Sequence, residues 1–160
     1  MFERFARESR RAAIRAQDAA RRMGAEQVEP EHLLLALSEG DDPAGRALAE
    51  VGVNRAAIEE AIEQDLVATL QVVGVPPSVV ASTPAYFRQD RPGFSAQAKR
   101  ALEQALHEAV RRGDRRLGTE HVLLGVLRRP GATVARVLAR LDVDPERLAA
   151  LVQVEAAAQR

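Results

Sequence analysis

Glu31-His32-Leu33-Leu34-Leu35-Ala36-Leu37 sets an acid and a histidine ahead of an unbroken apolar run. The pattern returns as Glu120-His121-Val122-Leu123-Leu124-Gly125-Val126-Leu127, 89 residues further on. The same offset joins Phe5 to Phe94, Arg11 to Arg100 and Gly24 to Gly113. Downstream it grows by one: Arg46 answers Arg136, Leu48 answers Leu138 and Val53 answers Val143. A spacing held through several elements marks an internal duplication, which settles the architecture before any single element is read. The chain is therefore two copies of one helical unit and whatever joins them.

Composition narrows the class. Hydrophobic residues make up 46% of the 160, enough for a core, but aromatics are only 3%. The core must be built from Leu, Val, Ile and Ala, which suits closely packed helices. Basic and acidic residues number 23 each, and a chain of zero net charge lacks the basic face of a general nucleic-acid binder. With no cysteine there is no disulfide, thiol nucleophile or zinc site of cysteine type. No apolar run approaches the roughly 18 residues of a membrane span, and the start is not a signal peptide, so a cytoplasmic protein is the simplest reading.

The spacing predicts a helix from about Ala6 to Met23, with Ala12, Ile14, Ala16, Ala19, Ala20 and Met23 sharing one broad buried face. Gly24 ends it as a left-handed cap. Pro30 opens a short central helix, with Glu31 in the first turn, where a carboxylate suits the positive end of the dipole. A turn at Gly40-Asp41-Asp42-Pro43 leads into a third helix, and Asn54 caps a fourth holding Ile58, Ala61 and Ile62. The second half repeats this: Ser95 caps a helix carrying Ala98, Ala101, Leu102, Ala105, Leu106 and Ala109, Gly113 ends it, Thr119 opens the central helix, and Asp144-Pro145 starts the last. Repeat 1 spans about 1–64 and repeat 2 about 94–158, all in one domain. Between them, Leu70-Gln71-Val72-Val73-Gly74-Val75 echoes Leu48-Ala49-Glu50-Val51-Gly52-Val53 and Leu138-Ala139-Arg140-Leu141-Asp142-Val143. This echo predicts two short helices over 66–81, a third copy of the back half of the unit, followed by a loop over 82–93 in which Tyr86 and Phe87 pack.

Met1-Phe2-Glu3-Arg4-Phe5, Thr119-Glu120-His121-Val122-Leu123-Leu124-Gly125 and the double repeat together resemble the amino-terminal domain of the Clp unfoldases, closest to the ClpC branch. The resemblance covers nearly the whole chain apart from the segment between the halves. It implies an all-α domain of two pseudo-twofold-related four-helix repeats, with an extra short helical segment between them. It implies a binding module that receives substrates and adaptors, with a Clp ATPase, Clp substrates or adaptors as partners and neither nucleic acid nor membrane. By the same resemblance Glu31 and Glu120 match the acids that bind the guanidinium of phosphorylated arginine. Ser95 matches a hydroxyl that helps hold the phosphate beside Glu120, while Ala6 replaces that hydroxyl beside Glu31. Phe2, Phe94 and Lys99 match a small apolar patch where peptides and cyclic-peptide antibiotics dock.

Other chemistries find no support. No G-x-x-x-x-G-K-[ST] loop is present, so neither binding nor hydrolysis of ATP is expected, and no cofactor is called for. His32, His107 and His121 lack the ligand spacing of a metal site, and the equivalent pair His32 and His121 is expected to make one structural hydrogen bond in each half. No nucleophile elbow accompanies the serines, so no catalytic residue is assigned. The alternative to a receptor, adaptor or decoy is a structural or regulatory protein of the same fold that has lost ligand recognition and acts through a partner or its own dimer.

Overall fold

Most helix starts follow from a local signal at the cap. The computed structural model describes residues 3–76, 78 and 91–160. Among these, repeat 1 supplies α1 (Arg7–Arg22), α2 (Pro30–Ser38), α3 (Pro43–Glu50) and α4 (Arg55–Val72). Repeat 2 supplies α5 (Ala96–Arg112), α6 (Thr119–Arg128), α7 (Gly131–Arg140) and α8 (Pro145–Ala158). Side-chain oxygens of Asp42, Asn54, Ser95 and Asp144 accept first-turn amides of α3, α4, α5 and α8, satisfying donors that have no partner within the helix. No strand is present among the described residues, only two isolated bridges, Phe5 to Leu117 and Val28 to Phe94. The all-α, two-repeat architecture is as the sequence implies.

The helix stops explain the threefold echo. Gly52, Gly74 and Asp142 each take a positive φ, of 76°, 77° and 55°. In each case the next amide turns back onto a carbonyl five residues earlier: Val53 to Leu48, Val75 to Leu70 and Val143 to Leu138, all at 2.9 Å. This is the Schellman stop, with an apolar residue just beyond it. The three stretches share a way of ending a helix. The first of the two short helices expected over 66–81 is instead the direct continuation of α4, which runs through residue 64 to Val72. The loop expected over 82–93, with Tyr86 and Phe87, lies outside the described residues except at 91–93.

α2 and α6 form the centre. Leu33, Leu34, Leu35, Ala36 and Leu37 are 1% exposed or less, as are Leu123, Leu124 and Val126. A fully buried leucine contributes about 1.5–3 kcal/mol of transfer free energy, so these two short helices hold a large share of the driving force. α1 lies on α2 and α5 on α6, through faces made largely of alanine. Gly125 permits the second crossing: a Cβ there would run into the Ala101 carbonyl and Ala105 on α5. The broad face expected of α1 is narrower than predicted. Ile14 is 58% exposed and Met23 40%, and Leu106 on α5 is 37% exposed. Ile14 lies roughly 200° around the helix from both Ala12 and Ala16, so it points away from the stripe they define.

The repeats interlock. α3 packs on α8 and α4 on α7, so the last helix of each repeat rests on the third helix of the other. The ion pairs obey the same exchange: Arg136 grips Asp65 through two bonds, at 2.6 and 3.0 Å, and its counterpart Arg46 meets Glu155, the counterpart of Asp65, at 3.2 Å.

Candidate functional site

Glu31 and Glu120 occupy the same place, the second residue of α2 and of α6. The residue after each is a buried histidine, and both rings do the same work. Nδ1 of His32 accepts the Glu29 amide at 2.9 Å, and Nδ1 of His121 accepts the Gly118 amide at 3.0 Å. These are the paired structural hydrogen bonds expected from sequence. Each fixes the turn that presents the preceding acid. His121 has a further partner, Asp114, whose carboxylate lies 3.0 Å from Nε2. Since Nδ1 accepts a bond, the ring proton sits on Nε2 and is donated to Asp114. His32 has Ala25 at the corresponding position and no such partner among the described residues. Burial alone lowers its pKa to about 4.

Ser95 stands beside repeat 1, not beside Glu120. Its hydroxyl donates to Glu29 at 2.7 Å while accepting the Ala98 amide at 3.0 Å. Ala6 lines the cleft that holds Glu120. The pairing of Ser95 with Glu120 and of Ala6 with Glu31 is therefore reversed. The cause is a crossed backbone arrangement. The Leu117 amide donates to Arg4 and the Ala6 amide to Leu117, tying the entry of α1 to the loop before α6. Val28 donates to Gly93 and Ser95 to Val28, tying the entry of α5 to the loop before α2. Each acid thus faces the first helix of the opposite repeat.

The Glu120 cleft has a volume of about 590 Å³ and, beside the start of α6, draws on four regions: the start of α1 at Ala6 and Glu8, the start of α3 at Asp41 and Asp42, the loop carrying Asp114, Arg115 and Arg116, and the end of α8 at Ala156, Gln159 and Arg160. The Glu120 side chain is 15% exposed within it. Ala6 provides no side-chain cap, so the first-turn amides of α1 have no acceptor from their own helix or its cap. The cleft therefore offers carboxylates to a cation, and guanidinium groups and amides to an anion. Glu31 has a different electrostatic surrounding. Burial raises its pKa, its own backbone amide opposes that, the charges of Glu29 and Asp65 add to the rise and Arg136 opposes it. A guanidinium of the chain itself, Arg136 on Asp65, already stands close enough to be felt by Glu31.

Of the expected apolar patch, Lys99 lines a cleft of about 230 Å³ with Phe5, Leu102 and Leu106. Phe94 packs against the edge of the core beside Val28, and Phe2 lies outside the described residues. Glu29, Asp114, Arg115 and Arg116 are not among the site residues the sequence points to, and Phe5 enters there only through the repeat offset and the opening motif. Among the described residues no group of acids and histidines is arranged to hold a metal ion, and no helix is long and apolar enough to cross a membrane.

Fold and site together define a class: an all-α protein of two interlocked helical repeats, each presenting one acid at the start of its central helix. Residues 4–88 and 93–160 match the family described as Clp repeat (R) N-terminal domain, and the chain belongs to that family. It is 33% identical over 149 residues to the chloroplastic chaperone protein ClpC1 of Arabidopsis thaliana, covering 92% of this chain and 14% of that protein. A chloroplastic ClpA homolog of Brassica napus is equally similar, with 92% of this chain and 15% of that protein covered. The chain thus spans about one seventh of the length of these relatives. The N-terminal domain of ClpD from Arabidopsis thaliana has a similar structure, with a TM-score of 0.72 and 25% identity over 96% of this chain and 98% of that one. The Hsp104 N-terminal domain of Candida albicans (TM-score 0.70, 13% identity, 99% and 94% covered) shares the fold. So does the ClpV N-domain solved in complex with VipB peptide (TM-score 0.60, 16% identity, 97% and 91% covered).

Proposed function

We propose that this Clp N-domain chain is a non-catalytic receptor or adaptor module of Clp-type proteolysis, and that its principal ligand site is the Glu120 cleft. The observation that carries this reading is the pairing, in one open cleft, of a recessed carboxylate with the uncapped start of α1 and with Arg115 and Arg116. A carboxylate matches a guanidinium through two parallel hydrogen bonds, and amides at a helix start with neighbouring arginines suit a phosphate. Phosphoarginine on a marked protein carries both groups. The smaller cleft at Lys99 and Phe5 takes apolar peptide side chains or a cyclic peptide. The partners are a Clp ATPase, its substrates or its adaptors. On the sequence reading the chain works in the cytoplasm, while the relatives cited are named chloroplastic.

The alternative, a chain that has lost ligand recognition and acts through a partner or its own dimer, draws support only from repeat 1. There the Ser95 hydroxyl is already committed to Glu29, and Arg136 stands near Glu31. Calorimetry with phosphoarginine separates the readings. Glu120→Ala should abolish most binding, and Glu31→Ala should change it little. Ala6→Ser adds a hydroxyl to the Glu120 cleft, and one hydrogen bond to a charged group, worth about 1.5–3 kcal/mol, should raise affinity roughly tenfold or more. Equal losses from the two acid variants would refute the assignment to Glu120, and absence of binding would establish the alternative.

A further inference from the structure

The two repeats differ most in chemistry at the far end of their central helices. In repeat 1, Glu39 at the end of α2 meets Arg22 at 3.8 Å and Arg55 at 3.6 Å, and Arg55 meets Glu59 at 2.9 Å. Two acids and two bases neutralise one another across the gap between α2 and α4. In repeat 2 the position of Glu39 is Arg128, that of Gly40 is Arg129, that of Arg55 is Pro145 and that of Glu59 is Ala149. The acids have become arginine and alanine, and the side chain that bridged the gap is gone. What remains is a groove of about 440 Å³ between α6 and α8, with Leu124, Leu127 and Ala149 along it and Arg128 and Arg129 on its edge.

The charge at this groove is not balanced internally. Glu108 on α5, 4% exposed, meets Arg111 at 2.6 Å, Arg128 at 2.6 Å and Arg112 at 4.0 Å. One carboxylate thus faces three guanidinium groups, and Arg112 Nε is buried without a hydrogen-bond partner. Arg128 stays half exposed, and Arg129 is exposed with no ion pair among the described residues. Glu146 is the one acid along the groove. Arg128 and Arg129 thus line the groove against Glu146 alone, and the carboxylate behind Arg128, Glu108, is already shared with Arg111 and Arg112.

We infer that this repeat 2 groove is a docking surface for an acidic peptide segment of a partner protein, whose carboxylates meet Arg128 and Arg129 while a small apolar side chain rests on Leu127 and Ala149. Charge complementarity selects the occupant, and the apolar floor favours a peptide over a nucleic acid, whose backbone would use only the arginines. The surface is separate from the Glu120 cleft and does not depend on it.

The test is fluorescence anisotropy on the full chain with a fluorescein-labelled decapeptide of glutamate carrying leucine at every fourth position. Saturable binding that weakens with added salt is expected. Arg129→Ala should weaken it severalfold and Arg129→Glu at least tenfold, while Arg100→Glu on α5 leaves it unchanged. Circular dichroism should show Arg129→Glu folded, since the side chain is exposed. The inference is overturned if the peptide does not bind, or if Arg100→Glu weakens binding as much as Arg129→Glu. It is also overturned if an oligothymidylate of equal charge binds more tightly and loses that binding with Arg129→Glu, which would make the surface one for nucleic acid.

Discussion

Glu31 is a carboxylate that the fold makes harder to ionise, because burial and the neighbouring charges of Glu29 and Asp65 together outweigh its backbone bond and Arg136. A folded-state pKa above the unfolded value means that the contribution to stability is full below the unfolded pKa and is lost as pH rises through the folded one. At neutral pH the ionised side chain therefore costs stability. Glu31→Gln should shift the urea midpoint upward at pH 7, and the gain should shrink by pH 4; a variant less stable than the parent at pH 7 would contradict this account. His32 runs the opposite way in pH. Its pKa falls from 6.5 to about 4 on folding, so its contribution is complete above 6.5 and is lost as pH drops through 4. The full effect corresponds to about 3 kcal/mol. Glutamine at this position can still accept the Glu29 amide, as in a capping box, but cannot titrate. His32→Gln should flatten the fall in stability between pH 6.5 and 4, and an unchanged slope would show that another group causes it.

The helices start and stop where short-range chemistry tells them to, and the stops differ in quality. Gly52 and Gly74 take the left-handed conformation at little cost, whereas Asp142 carries a Cβ into it at φ 55°. A Cβ built on Gly52 meets no atom within 4 Å, so the backbone angle alone decides its substitution. Asp142→Gly should stabilise the protein by up to about 1 kcal/mol, and Gly52→Asp should destabilise it by a similar amount. For a chain of this size that is a shift of roughly 2–4 °C in Tm in each direction, readable by calorimetry. Shifts of the same sign in both variants would mean that something other than the left-handed angle governs these stops.

Across the whole molecule the repeats are joined by exchange. The entry of α1 is hydrogen-bonded to the loop before α6, the entry of α5 to the loop before α2, and each fourth helix rests on the other repeat's third. Neither repeat can bury its apolar surface without the other. A single cooperative unfolding transition is expected, with calorimetric and van't Hoff enthalpies equal. Asp65, 5% exposed, holds Arg136 across the boundary. Because Arg136 is half exposed and can regain water, Asp65→Ala should cost about 1–3 kcal/mol, less than the loss of a fully buried pair. That loss should lower the one transition as a whole. Two separate transitions, or a variant that melts repeat 1 alone, would show the repeats to be independent.

The order of residues by itself determined that there are two copies of a helical unit, because an offset such as Glu31 to Glu120 or Arg46 to Arg136 is a property of order and needs no coordinates. It also determined most helix ends, since Asn54, Ser95, Gly24 and Gly113 act on amides and carbonyls only a few residues away. It could not say that Ser95 meets Glu29 at 2.7 Å while Ala6 faces Glu120, nor that Ile14 turns to solvent. Those facts depend on which surfaces two similar units present to each other. A duplicated sequence is equally consistent with repeats that stand side by side and with repeats that exchange neighbours. Only packing separates these arrangements, through contacts such as Leu117 with Ala6 and Arg136 with Asp65 that join residues far apart in the chain. The surroundings of each candidate site were therefore decided by tertiary structure, although both acids, Glu31 and Glu120, are legible in the sequence.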